Sequence, residues 1–173
     1  LITQYPSGQA IQCINAGRLF DGLEEDYICV GNGAAELINS LGHMLKGNMY
    51  VSKSAFNEYI RCFNNCKFNI YDMKQDNYRF NIDKLKANIE INDIMCIVNP
   101  DNPTGAFMSY DDAISIIEEC DKKNKTVIFD ESFIDFAKNE VRYTLLKNEI
   151  LEKYKNLIVV KSISKSYGVP GVR

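Results

Sequence analysis

The sequence is short of most residues that announce a site on sight. It has a single histidine, His43, so no histidine cluster can hold a metal. Its six cysteines, Cys13, Cys29, Cys62, Cys66, Cys96 and Cys120, are scattered, and the pair Cys62 and Cys66 has no second pair to complete a zinc site. No apolar run approaches the roughly 20 residues of a membrane span. No basic segment followed by an apolar one opens the chain, as a secretory signal requires. No G-K-S/T closes a phosphate loop, and no repeat or low-complexity tract is present. Positive charge is not in excess: the net charge of -3 gives no reason to expect nucleic acid or an anionic membrane as partner. What is present is ordinary in amount, with 46% hydrophobic and 25% charged residues in 173, enough for one soluble domain with a sizeable core. Cysteines inside apolar runs (Y-I-C-V, I-M-C-I-V) read as reduced core thiols of a cytoplasmic protein. His43 reads as packing or surface. The chain begins at Leu1 rather than Met and stops at Arg173 soon after a strand, which suggests a piece of a longer protein.

Strand-like and helix-like segments alternate. Short apolar runs predict strands over 27–30, 48–51, 67–71, 94–98, 126–129 and 157–160. Helical spacing predicts helices over 34–45, 56–64, 81–89, 110–123 and 145–154. This alternation defines an α/β fold with a mostly parallel sheet. Such sheets bind ligands outside the carboxyl ends of their strands. The turns there carry the informative residues.

The first such turn is G-N-G-A-A-E, where Gly33, Ala34 and Ala35 open a helix and present backbone N–H groups to a phosphate. Glu36 stands where a dinucleotide fingerprint needs glycine or alanine, and no acid follows at the ribose distance. A plain strand-to-helix turn reads as well here. The loop N-P-D-N-P-T-G, residues 99–105, holds Asn102 between two prolines and can aim one amide at a ligand. Asp130 ends a buried strand and needs a partner: a metal, a helix cap or a protonated ring nitrogen. Asp130 and Glu131 as a metal pair lack supporting ligands. After the last strand come Ser162, Ser164, Lys165 and Arg173. A lysine can form an imine with a carbonyl cofactor, and hydroxyls with an arginine can hold a phosphate. By itself Lys165 reads as part of a solvated basic loop. Together the four turns supply a phosphate cradle, an amide, a carboxylate and an amine, the set that pyridoxal 5'-phosphate needs.

The motifs V-G-N-G-A-A-E-L-I, S-A-F-N-E-Y, N-P-D-N-P-T-G, F-D-E-S-F-I-D-F and S-I-S-K-S-Y-G-V-P-G-V-R occur in this order. In them the chain resembles the fold-type-I pyridoxal-phosphate enzymes of aminotransferase class I/II. It is most similar to the branch of histidinol-phosphate aminotransferase and threonine-phosphate decarboxylase. The resemblance runs from Tyr5–Pro6 to the end. It implies a three-layer α/β/α large domain over residues 1–173, with the N-terminal arm, the C-terminal small domain and its substrate-gripping arginine outside the chain. It makes Lys165 the Schiff-base lysine, Asp130 the partner of the pyridinium nitrogen and Asn102 a donor to the phenolic oxygen. Phe56 becomes the ring that stacks on the cofactor. Gly33, Ala34, Ala35, Ser162, Ser164 and Arg173 become its phosphate site. Tyr5 would reach the phosphate of a neighbouring subunit, which implies a homodimer. The implied activity is amino-group transfer between small amino and keto acids. The alternative is decarboxylation of a phosphorylated amino acid, and a third reading is an inactive remnant or fused domain. Phe133 stands where many aminotransferases carry tyrosine, three residues after the ring-binding aspartate, and this departure bears on the choice.

Overall fold

The computed structural model describes residues 8–20, 22–137 and 143–166. Five strands form one sheet: β1 (Gly47–Ser52), β2 (Cys66–Tyr71), β3 (Ile94–Val98), β4 (Thr126–Asp130) and β5 (Leu157–Val160). Their order is β2-β1-β3-β4-β5, and every neighbouring pair is parallel. The helices are α1 (Gln9–Leu19), α2 (Ala34–Met44), α3 (Asn57–Cys62), α4 (Ile82–Ile89), α5 (Tyr110–Lys122), α6 (Asn148–Lys153) and the short α7 (Ile163–Ser166).

Side-chain alternation explains the layers. A strand buried on both faces sends successive residues to opposite sides. In β3, Met95 and Ile97 enter one core, and Ile94, Cys96 and Val98 enter the other. In β4, Val127 and Phe129 take the first side and Ile128 the second. The first core is closed by Leu85 and Ile89 of α4, by Ile116, Ile117 and Cys120 of α5, and by the half-buried Ile150 and Leu151 of α6. The second is closed by Ile38 of α2 and by Tyr59 and Cys62 of α3, with Phe63 just beyond. Helices therefore cover both faces, giving the three-layer α/β/α arrangement expected.

Local chemistry sets the helix starts. Asn81 and Ser109 accept the N–H groups of Lys84 and Asp112 through their side chains, at 3.1 Å each, and so cap α4 and α5. Asp111 and Asp112 add negative charge to the first turn of α5, where the helix dipole favours it. Gly42 lets α2 approach the end of α3, because a Cβ there would lie 2.3 Å from the Cys62 carbonyl oxygen.

Several expectations need correction. Residues 27–30 are not a strand. Tyr27 ends a 3-10 turn, and Ile28 continues in extended backbone outside the sheet. The Ile28 carbonyl instead accepts from the Cys13 thiol of α1 at 3.1 Å, so the segment leans on a helix rather than a ladder. Helix α1 was not anticipated at all. The helix expected over 56–64 is shorter, with Cys62 ending α3, and Cys66 begins β2. The helix expected from Leu145 begins at Asn148.

Candidate active site

The chain winds from β1 outward to β2 and then back across to β3, so the strand order reverses between β1 and β3. The crevice at such a switch point, outside the carboxyl ends, is where these sheets bind ligands. The loops that follow β1 and β3 are tied together there. Ser54 Oγ donates to the buried Asp101 carboxylate at 3.0 and 3.3 Å, and Ser52 Oγ lies 2.8 Å from Ser54 Oγ. Thr104 Oγ1 donates to the same carboxylate. Asn99 closes the base of the loop, its amide donating to Met108 O at 3.1 Å and its Oδ1 accepting from Met108 N at 2.8 Å. This lattice leaves Asn102 exposed at the tip, beside a 540 Å³ cavity that Phe133 also lines.

The adjoining strand ends join the same rim. Asn99 N–H donates to Asp130 O, and Glu131 N–H donates to Val160 O. Asp130 is only 3% exposed, yet both its oxygens have donors. Tyr59 O–H gives to Oδ2 at 2.9 Å and Ser132 N–H to Oδ1 at 2.9 Å. By parity along β4, Asp130 follows Ile128 and faces the α2/α3 side, which is why Tyr59 of α3 meets it. Glu131 faces the other side. It accepts from Thr144 Oγ1 at 2.6 Å and Leu145 N at 2.7 Å, and burial pushes its carboxyl up to about 7 against those two bonds and the nearby Lys161.

Lys165 projects from α7 between two rings. Its Nζ lies 4.0 Å from the centroid of Phe133 and 5.6 Å from that of Phe56. Both separations are in the range where an ammonium is attracted to an aromatic face. Phe56, Phe133 and Lys165 come from the turns after β1, β4 and β5, so three strand ends converge on one point. Phe56 is 40% exposed, an open face at the crevice. Ser162 Oγ and Ser164 Oγ sit 3.2 Å apart at the end of β5. Gly33 is the N-cap of α2 with φ of 78°, a conformation that favours glycine, and Ala34 and Ala35 form the first helical turn. Glu36 folds back to accept the Asn32 N–H. Tyr5 and Arg173 lie outside the described residues. Among the described residues no cluster of His, Cys, Asp and Glu could hold a metal, and no helix is long and apolar enough to cross a membrane.

Three contributors were missed by sequence reasoning. Ser54 and Asp101 form the buried link between two loops, and Tyr59 supports Asp130. The enclosure of Asp101 between prolines was a usable local sign; the Tyr59 contact, 71 residues from its partner, left none.

A parallel sheet covered by helices on both faces, with an amine and a buried carboxylate at its carboxyl rim, matches the fold of the pyridoxal-phosphate-dependent transferases. Comparison with known proteins makes the assignment narrower: residues 16–173 match the family described as aminotransferase class I and II, and the chain belongs to that family. It is 33% identical to the L-serine phosphate decarboxylase of Campylobacter jejuni, over 98% of this chain and 44% of that protein. It is 31% identical to histidinol-phosphate aminotransferase 1 of Arabidopsis thaliana, over 98% of this chain and 40% of that protein. Among solved structures, a decarboxylase from Sulfurospirillum multivorans superposes with a TM-score of 0.82 at 31% identity, covering 99% of this chain and 45% of that one. The histidinol-phosphate aminotransferase of Sinorhizobium meliloti, solved with pyridoxal 5'-phosphate, shares the fold with a TM-score of 0.80 at 18% identity, over 98% of this chain and 46% of that one. The chain thus spans a little under half the length of the relatives it matches.

Proposed function

We propose that this chain is the large, cofactor-binding domain of a pyridoxal-phosphate enzyme that decarboxylates an amino acid phosphorylated on its side chain. The observation that carries the reading is Lys165, seated between Phe133 and Phe56 at the rim that also holds the buried Asp130. The donor set fits the cofactor chemically: an amine for its aldehyde, a carboxylate for its ring nitrogen, an aromatic face, and hydroxyls with helix N–H groups for its phosphate. Bound pyridoxal 5'-phosphate supplies an electron sink for the bond broken at the substrate Cα.

The residues divide the remaining tasks. Asp130 would hold the protonated ring nitrogen with a charged hydrogen bond. Asn102 would donate to the phenolic oxygen, and Phe56 would stack on the ring. Gly33, Ala34, Ala35, Ser162, Ser164 and Arg173 would bind the phosphate. Lys165 would hold the cofactor through its aldehyde and, as the amine beside the substrate Cα, would deliver the proton that takes the place of the lost carboxylate. Tyr5 would serve a neighbouring subunit's cofactor in a homodimer. The substrate carboxylate is met by residues beyond this domain. A cytoplasmic setting is part of the proposal, on the cysteines set inside apolar segments.

Transamination was the first expectation from sequence, and decarboxylation its alternative. The alternative is now favoured by the match to L-serine phosphate decarboxylase along the chain, together with Phe133 in place of tyrosine. Transamination stays as the second reading on the strength of the 31% identity to a histidinol-phosphate aminotransferase. The test is to supply the whole protein with cofactor and O-phosphoserine or O-phosphothreonine. Carbon dioxide without keto acid is expected. Keto acid without carbon dioxide would return the transaminase, and a colourless protein indifferent to added cofactor would leave the inactive reading.

A further inference from the structure

Tyr59 is fully buried, and the chemistry proposed above gives it no task. Its ring packs in the second core, 6.1 Å from that of Phe63, while its hydroxyl reaches the sheet rim and donates to Asp130 Oδ2. Burial, and then the charge of Asp130, push the phenol well above its ordinary range, so the hydroxyl stays protonated and acts as a donor to that oxygen. The Ser132 N–H holds the other oxygen. A carboxylate offers about four lone-pair sites, so two donors fix its orientation and leave acceptor capacity for a ligand.

We infer that Tyr59 is a positioning residue, whose hydroxyl fixes the Asp130 carboxylate in the orientation that meets the ring nitrogen of pyridoxal phosphate. The inference rests on the cofactor reading above. Its physical basis is preorganisation: a carboxylate already fixed by the fold loses little freedom when the cofactor binds. Because α3 carries Tyr59 and follows directly from Phe56, one short helix sets both the stacking face and the ring-nitrogen partner.

The test is a double-mutant cycle on cofactor affinity, measured by absorbance titration of the whole protein stripped of cofactor. Tyr59→Phe is expected to weaken pyridoxal phosphate binding about tenfold in the native background and less than about twofold beside Asp130→Ala. Equal losses in both backgrounds would mean that Tyr59 acts by packing, and would overturn the inference alone. A native protein that takes up no cofactor would overturn the functional reading and this inference with it. Should Tyr59→Phe not fold, 4-aminophenylalanine and 4-fluorophenylalanine at position 59 give the same contrast at nearly constant volume. The ring with a donor is expected to keep the affinity and the fluorinated ring to lose it; equal affinities would overturn the proposal.

Discussion

Asp130 and Glu131 are neighbours in sequence, 3% and 1% exposed, and each carboxylate takes two hydrogen bonds. They differ in the face they serve. Asp130 points to the α2/α3 side, where Tyr59 supports it and the turns bearing Phe56 and Lys165 gather. Glu131 points to the opposite side, where Thr144 and Leu145 bind it and fix the chain before α6. Burial and satisfied hydrogen bonds are thus not enough to single out a carboxylate as a candidate for catalysis. What separates the two is the company on each face: an amine and two rings on one side, a hydroxyl and a backbone amide that belong to the fold on the other.

The sharpest way to break this contrast is to neutralise each carboxylate in turn. Asp130→Asn is expected to cut turnover by about 10²–10³-fold while the fold survives, since the lost charge stabilises the reacting centre rather than the sheet. Turnover unchanged in steady-state assays would remove Asp130 from the chemistry. Glu131→Gln is expected to leave turnover within about twofold and to act on stability instead, in a pH-dependent way. Its folded carboxyl is raised to about 7 from an ordinary 4.5, so the fold holds that proton more tightly than the unfolded chain does. The stability this contributes is fully present below about 4.5 and is lost as pH rises through about 7, a change of about 3 kcal/mol. Denaturant melts between pH 4.5 and 8 should show that slope in the native protein and a flatter one in Glu131→Gln. Parallel curves would mean that Glu131 does not carry the proton assigned to it.

Much of this arrangement was legible in the sequence, for physical reasons that differ by residue. Strands β3 and β5 fall where continuous apolar runs place them, 94–98 and 157–160, because a strand covered on both faces needs such a run. The rim residues were legible because strand ends in parallel sheets are where polar groups have a reason to be. Residues 27–30 misled because an apolar run does not reveal whether a ladder partner exists, and here Ile28 backs onto α1. Tyr59 was illegible because its purpose is a contact across 71 residues, which no local pattern encodes. Lys165 among serines reads alone as a solvated loop, and reads as a candidate site only with the other three turns beside it.

At the centre of the proposed function, several strand-end turns converge on one cofactor, with Lys165 as the residue that bonds it. Borohydride reduction of the cofactor-loaded protein, followed by digestion and mass spectrometry, tests that directly. A stable pyridoxyl adduct on Lys165 is expected. An adduct on a different lysine, or none on a protein that has bound the cofactor, would contradict it.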